Sequence, residues 1–143
     1  MLKQWLVRFL VILILPLATQ ASYIHWLGDY DAALQRAISE HKPLLVLVVK
    51  KDDSSSKIIQ QALMDQPYIE KLDKQFISVI VTYEGAQSYP IEMYYTTVFP
   101  TLFFVDSSRE LFLKKPLYGE EITAETLAKI IQNLDIIPTK SNR

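Results

Sequence analysis

Five consecutive residues, Asp52-Asp53-Ser54-Ser55-Ser56, put two carboxylates and three hydroxyls at one point of the chain. A serine nucleophile would need a base within hydrogen-bond reach and a third group to orient that base. The two histidines, His25 and His41, do not adjoin the cluster. His25 reads as a surface residue ahead of a helix, and His41 as a residue facing that helix's dipole at its C-terminal end. Carboxylates beside hydroxyls attract calcium, but the spacing of a calcium loop is missing. There is no cysteine among the 143 residues, so thiol nucleophiles, zinc–thiolate sites and dithiol redox chemistry are ruled out. No metal or other cofactor is expected. The simplest role of the cluster is structural: each serine can cap a helix N-terminus, and Asp52 and Asp53 suit its dipole.

The elements around the cluster agree with that role. Residues 44–49 form an apolar run, the pattern of a strand buried on both faces, and a helical pattern follows the serines. In open α/β sheets, sites lie where strands end and helices begin. Upstream, residues 26–31 open a helix capped by Asp29 or Asp31, with Tyr30, Leu34, Ala37, Ile38 and His41 on one face and Pro43 as its stop. Downstream, Ile58, Ile59, Ala62 and Leu63 make the stripe of the second helix. Pro67 starts a short continuation with Tyr68, Ile69 and Leu72 inward. Residues 76–82 read as the second strand.

Residues 83–89 are a polar loop and 90–95 at most a short helix. Around it cluster Tyr83, Tyr89, Tyr94 and Tyr95, which suit either a partner-anchoring rim or packing beneath the Pro100 loop. Residues 101–105 are the third strand and 110–114 the fourth, joined by a four-residue turn and therefore antiparallel. Thr123 caps a last helix with Leu127, Ile130, Ile131 and Leu134 on its core face, and Ile122 and Leu127 form a hydrophobic staple.

Half of the residues are apolar, 22% are charged and only three are glycine, which fits one domain with a real core and excludes low complexity. Residues 1–21 have the layout of a secretory signal peptide: Lys3 and Arg8, an apolar stretch at 9–17, then Ala18-Thr19-Gln20-Ala21, with cleavage expected after Ala21. The apolar stretch is short of the about 20 residues that span a bilayer. A retained N-terminal anchor is the alternative, and membrane contact is expected only in that case. The expected location is periplasmic or secreted. Losing Lys3 and Arg8 would move the formal charge from −1 to −3. Without a basic cluster the chain lacks the footprint of nucleic-acid binding. The folded domain is expected over 22–137, with a flexible tail at 138–143.

Element order and specific residues together resemble the thioredoxin fold, in its exported, thioredoxin-related branch. The matching features are Trp26, then Ala33-Leu34 and Ala37, then Lys42-Pro43 ahead of the first core strand. The segment from Val98-Phe99-Pro100-Thr101 to Asp106, followed by Tyr118-Gly119, completes the resemblance. It implies an α/β domain with a mixed sheet of about four strands flanked by helices on both faces. It also implies that Pro100 is a cis-proline and that Phe99 pairs, backbone to backbone, with an extended peptide. The family's Cys-x-x-Cys falls on Asp53-Ser54-Ser55-Ser56, with Asp53 in place of the attacking cysteine and Ser56 in place of the resolving one. A serine cannot form a disulfide and a carboxylate cannot attack one, so the family's exchange reaction should be absent.

The expected function is an exported, non-catalytic binding or accessory module. Its partner would be a protein or extended peptide of the envelope, held between Asp53, Ser54, Ser55 and Ser56 on one side and Phe99 and Pro100 on the other. Two alternatives are an enzyme with changed chemistry, using a ligand or metal at Asp52 and Asp53, and a structural subunit of an envelope complex.

Overall fold

The computed structural model describes residues 24–54, 57 and 66–134. The signal-peptide segment, Ser55, Ser56, the stripe from Ile58 to Leu63 and the tail at 138–143 lie outside the described residues. Described in chain order are β1 (Trp26–Leu27), α1 (Tyr30–Ser39), β2 (Leu44–Lys50), α2 (Gln66–Gln75), β3 (Ile77–Tyr83), β4 (Thr101–Asp106), β5 (Leu111–Phe112), β6 (Leu117–Tyr118) and α3 (Ala124–Leu134).

The sheet runs β1-β3-β2-β4-β5, with β6 also paired to β4. β1 and β2 are parallel to β3, and β2 is antiparallel to β4. β2 lies between two long neighbours, and Leu44 to Val48 are all buried, as a run without polar alternation requires. Successive side chains point to opposite faces. Leu45, Leu47, Leu102 and Phe104 therefore pack against Ile69 and Leu72 of α2 and Leu127, Ile130 and Ile131 of α3. Leu44, Val46, Val48, Phe103 and Val105 pack against Tyr30, Ala33 and Ala37 of α1. Helices thus cover both faces, as the element order implies.

Several local expectations change. The sheet has six strands rather than about four, because β1 and β6 are two-residue segments too short to show a sequence period. Trp26 and Leu27 pair with Ser78 and Val79 instead of opening the helix. Asp29 is the N-cap, its carboxylate accepting from the Ala32 N–H at 2.7 Å, while Asp31 lies in the first turn. Ile38 and His41 fall off the buried face: Ile38 is exposed, and His41 follows the helix end with φ 53°. The expected strand at 110–114 shrinks to Leu111–Phe112. Glu110 still belongs to the turn, with φ 50°, and the chain bends after Leu113, whose N–H bonds the Phe104 carbonyl. Residues 90–95 form turns closed by Met93 and Tyr94 N–H groups on the Pro90 carbonyl, not a helix. No helix among the described residues is long and apolar enough to cross a membrane.

Candidate functional site

β4 begins at Thr101, opposite Val48 of β2. The residues just ahead of β4 therefore meet the residues just beyond Val48, at the end of the sheet where β2 runs into the acidic and serine-rich turn. Pro100 is buried, Phe99 is half-buried, and the bond between them is cis. The Phe99 ring packs on the Tyr83 ring, with centroids 5.1 Å apart. Lys50, directly opposite Tyr83 in the sheet, holds its ammonium 6.0 Å from the Phe99 ring centroid, the outer range of a cation–π contact.

The turn is tied to the same lysine. The Asp53 N–H donates to the Lys50 carbonyl at 3.3 Å, and Asp52 between them has φ 61°, a left-handed conformation that aspartate tolerates better than most residues. Asp53 is half-buried and Ser54 exposed, and the Ser54 carbonyl accepts from the Lys57 N–H at 3.1 Å. The structure thus brings Asp53, Phe99 and Pro100 to one end of the sheet through Lys50.

The loop before Pro100 is held by two buried threonines. The Val98 N–H donates to the Thr96 hydroxyl at 3.1 Å, and the Val98 carbonyl accepts from the Thr101 hydroxyl at 2.6 Å. The two hydroxyls are 3.0 Å apart. On the far side the Gly119 N–H donates to the Pro100 carbonyl at 2.8 Å. Gly119 has φ 48°, and an added Cβ would lie 3.5 Å from Val98 Cγ1. The constraint at this glycine is its backbone angle, since the space would admit a methyl group. Val98 and Pro100 are thereby engaged on both sides of Phe99. Among the described residues no hydrogen bond uses the Phe99 N–H or C=O. An amide and carbonyl without internal partners are the pair that an added strand would take up.

Beside this loop lies an open depression of about 340 Å³ lined by Tyr95, Thr96, Thr97, Val98 and Tyr118. Tyr118 is positioned by its pairing with Thr101 and by the Glu121 carboxylate, which accepts from its N–H at 3.0 Å. Reading the sequence assigned no role to Lys50 and Thr96 and used Val98 and Tyr118 only as part of the family resemblance, not as site residues. Only the strand register signals them, and pairing across more than fifty residues is not visible in local pattern. Of the four tyrosines grouped earlier, Tyr89 and Tyr94 are core residues and Tyr95 is 66% exposed.

Among the described residues no group of three or more His, Cys, Asp or Glu side chains could hold a metal ion. With no cysteine in the chain, the position at the end of β2 offers carboxylate and hydroxyl oxygens and no thiolate to attack a disulfide.

The sequence model of the thioredoxin-like family matches residues 25–107. Anterior gradient protein 2-B of Xenopus laevis is 28% identical over 86 residues, 59% of this chain and 51% of that protein. The chain thus spans about half the length of that curated relative. A proposed disulphide-isomerase from Bacteroides thetaiotaomicron superposes with a TM-score of 0.65 at 23% identity, covering 82% of this chain and 98% of that one. A thioredoxin from Thermus thermophilus superposes with a TM-score of 0.62 at 16% identity, covering 80% and 88%. At these identities the two structures speak to the fold alone.

Proposed function

The chain belongs to the thioredoxin-like family, and from that premise we propose that it is an exported binding module that captures an extended protein or peptide segment without dithiol exchange. The observation that carries this reading is the Phe99 N–H and C=O, which have no partner among the described residues and lie between two engaged neighbours. A segment in extended conformation would donate to the Phe99 carbonyl and accept from its N–H, strand addition limited to one residue. Pro100 shapes the approach, and Asp53 and Ser54 stand on the other side, at the end of β2. The absence of cysteine supports capture and release in place of a mixed-disulfide intermediate. Residues 1–21 would direct the chain to the envelope, where its partner would be met.

The test is a titration of isotope-labelled chain with a reduced, carboxymethylated protein that cannot fold. The Phe99 amide is expected among the most shifted signals, with Val98 and Lys50 close behind. Binding that leaves Phe99 unshifted, or no binding at all, overturns the reading.

A further inference from the structure

The lead-in to β4 has two chemically different flanks. β4 lies between β2 and β6, so Phe99 has the end of β2 on one side and Tyr118 of β6 on the other. On the β2 side stands Lys50, whose ammonium makes no ion pair among the described residues. On the β6 side lies the depression of about 340 Å³. It is lined by two tyrosines, two threonines and a valine, with no charged residue. Val98 and Tyr95 there are 45% and 66% exposed, so apolar surface faces water beside a backbone amide and carbonyl that have no partner among the described residues.

We infer that the site selects an extended segment carrying a bulky uncharged side chain for the Tyr95–Val98–Tyr118 depression and a nearby carboxylate for Lys50. This rests on the strand-pairing reading above and specifies the partner for it. Backbone pairing supplies attachment without sequence preference, while side chains on either flank supply choice. The depression admits an aromatic or long aliphatic group and would leave a charged one desolvated without a counterpart. Lys50 adds complementarity, and because it is exposed its effect is modest and salt-dependent.

Four unstructured nine-residue peptides of serine and threonine decide it, measured by fluorescence anisotropy with the full chain. The first carries a central phenylalanine with a glutamate two residues to each side. The second has serine for phenylalanine, the third lysines for the glutamates, the fourth both changes. The first peptide should bind tightest. Loss of the phenylalanine should weaken binding roughly tenfold. Reversal of the charges should weaken it about threefold at low salt, a difference that shrinks in high salt. Lys50→Glu should invert the charge preference and keep the phenylalanine preference, and Tyr95→Ser should do the opposite. Equal binding of all four peptides leaves strand pairing standing and overturns the selectivity. A charge preference that survives Lys50→Glu, or a phenylalanine preference that survives Tyr95→Ser, also overturns it. No binding by any peptide removes both readings.

Discussion

The Tyr30 hydroxyl lies 2.9 Å from the Tyr94 hydroxyl, and both rings are almost wholly buried. This contact joins the first turn of α1 to the segment that leads into Thr96 and Phe99. The Tyr94 ring also meets Phe103 edge-on, with centroids 5.2 Å apart, so the base of the site loop is anchored in the core from two directions.

Tyr94→Phe should therefore destabilise the fold by about 1–3 kcal/mol, because it strips Tyr30 of a buried partner. Adding Tyr30→Phe should recover part of that loss, since two apolar rings leave no unmet hydroxyl. Denaturant unfolding of the two single variants and the double variant measures the coupling. Burial also pushes both phenols above their ordinary value near 10. The native state then keeps protons that the unfolded chain gives up, so stability should fall as pH rises past about 10. The double phenylalanine variant should lose less over that range.

Asp106 sets the opposite end of the pH profile. Burial alone would raise its carboxyl, but hydrogen bonds from the Ser108 and Arg109 side chains and backbone outweigh this and hold it down at about 2. A depressed carboxyl contributes stability that is present above its unfolded value near 4 and is lost as pH falls toward 2. The amount should be roughly 1–3 kcal/mol. Asp106→Asn should lower stability at neutral pH and flatten the acid limb of the unfolding midpoint plotted against pH.

Thr101 tests whether the site loop is preorganised. Thr101→Val keeps the shape and removes the hydroxyl that donates to the Val98 carbonyl. It should cost about 1–2 kcal/mol, speed hydrogen exchange at the Phe99 amide, and weaken partner binding without abolishing it. Unchanged exchange at Phe99 would mean that Thr96, Pro100 and Gly119 hold the loop without Thr101.

Ser78 gives a prediction of the opposite sign. Its hydroxyl is buried in β3 with no hydrogen-bond partner among the described residues. Ser78→Ala should be neutral or stabilising by up to about 1 kcal/mol, because it removes a desolvated polar group. Thermal melts of the two proteins side by side settle it.

What could be foreseen from sequence follows from how local each signal is. Residues 44–48 announce a central strand because an unbroken aliphatic run has few other uses. Asp29 and Asp31 announce the start of α1 because capping needs only a carboxylate three residues from an N–H, and the structure selects Asp29. Trp26 and Leu27 are a strand only through their pairing with Ser78 and Val79, and two residues carry no period. Lys42-Pro43 and Phe99-Pro100 pointed to the fold through their order along the chain, not through any one residue's chemistry. The candidate site was only partly visible as a grouping. Asp53 and Phe99 could be named, but Lys50, Thr96 and Tyr118 join them only once β2, β4 and β6 are laid side by side.

The outer strand β5 has one further consequence. It is an edge only two residues long, and Leu111, Phe112 and Leu113 are 57%, 45% and 37% exposed. Such a rim invites copies of the chain to zip together into fibrils. Lys114, Lys115 and Pro116 follow at once, adding two like charges and a residue that cannot donate to a ladder. Charges and a proline beside an exposed apolar edge are the kind of residues that blunt such pairing, so replacing Lys115 and Pro116 by apolar residues should raise the chain's tendency to aggregate.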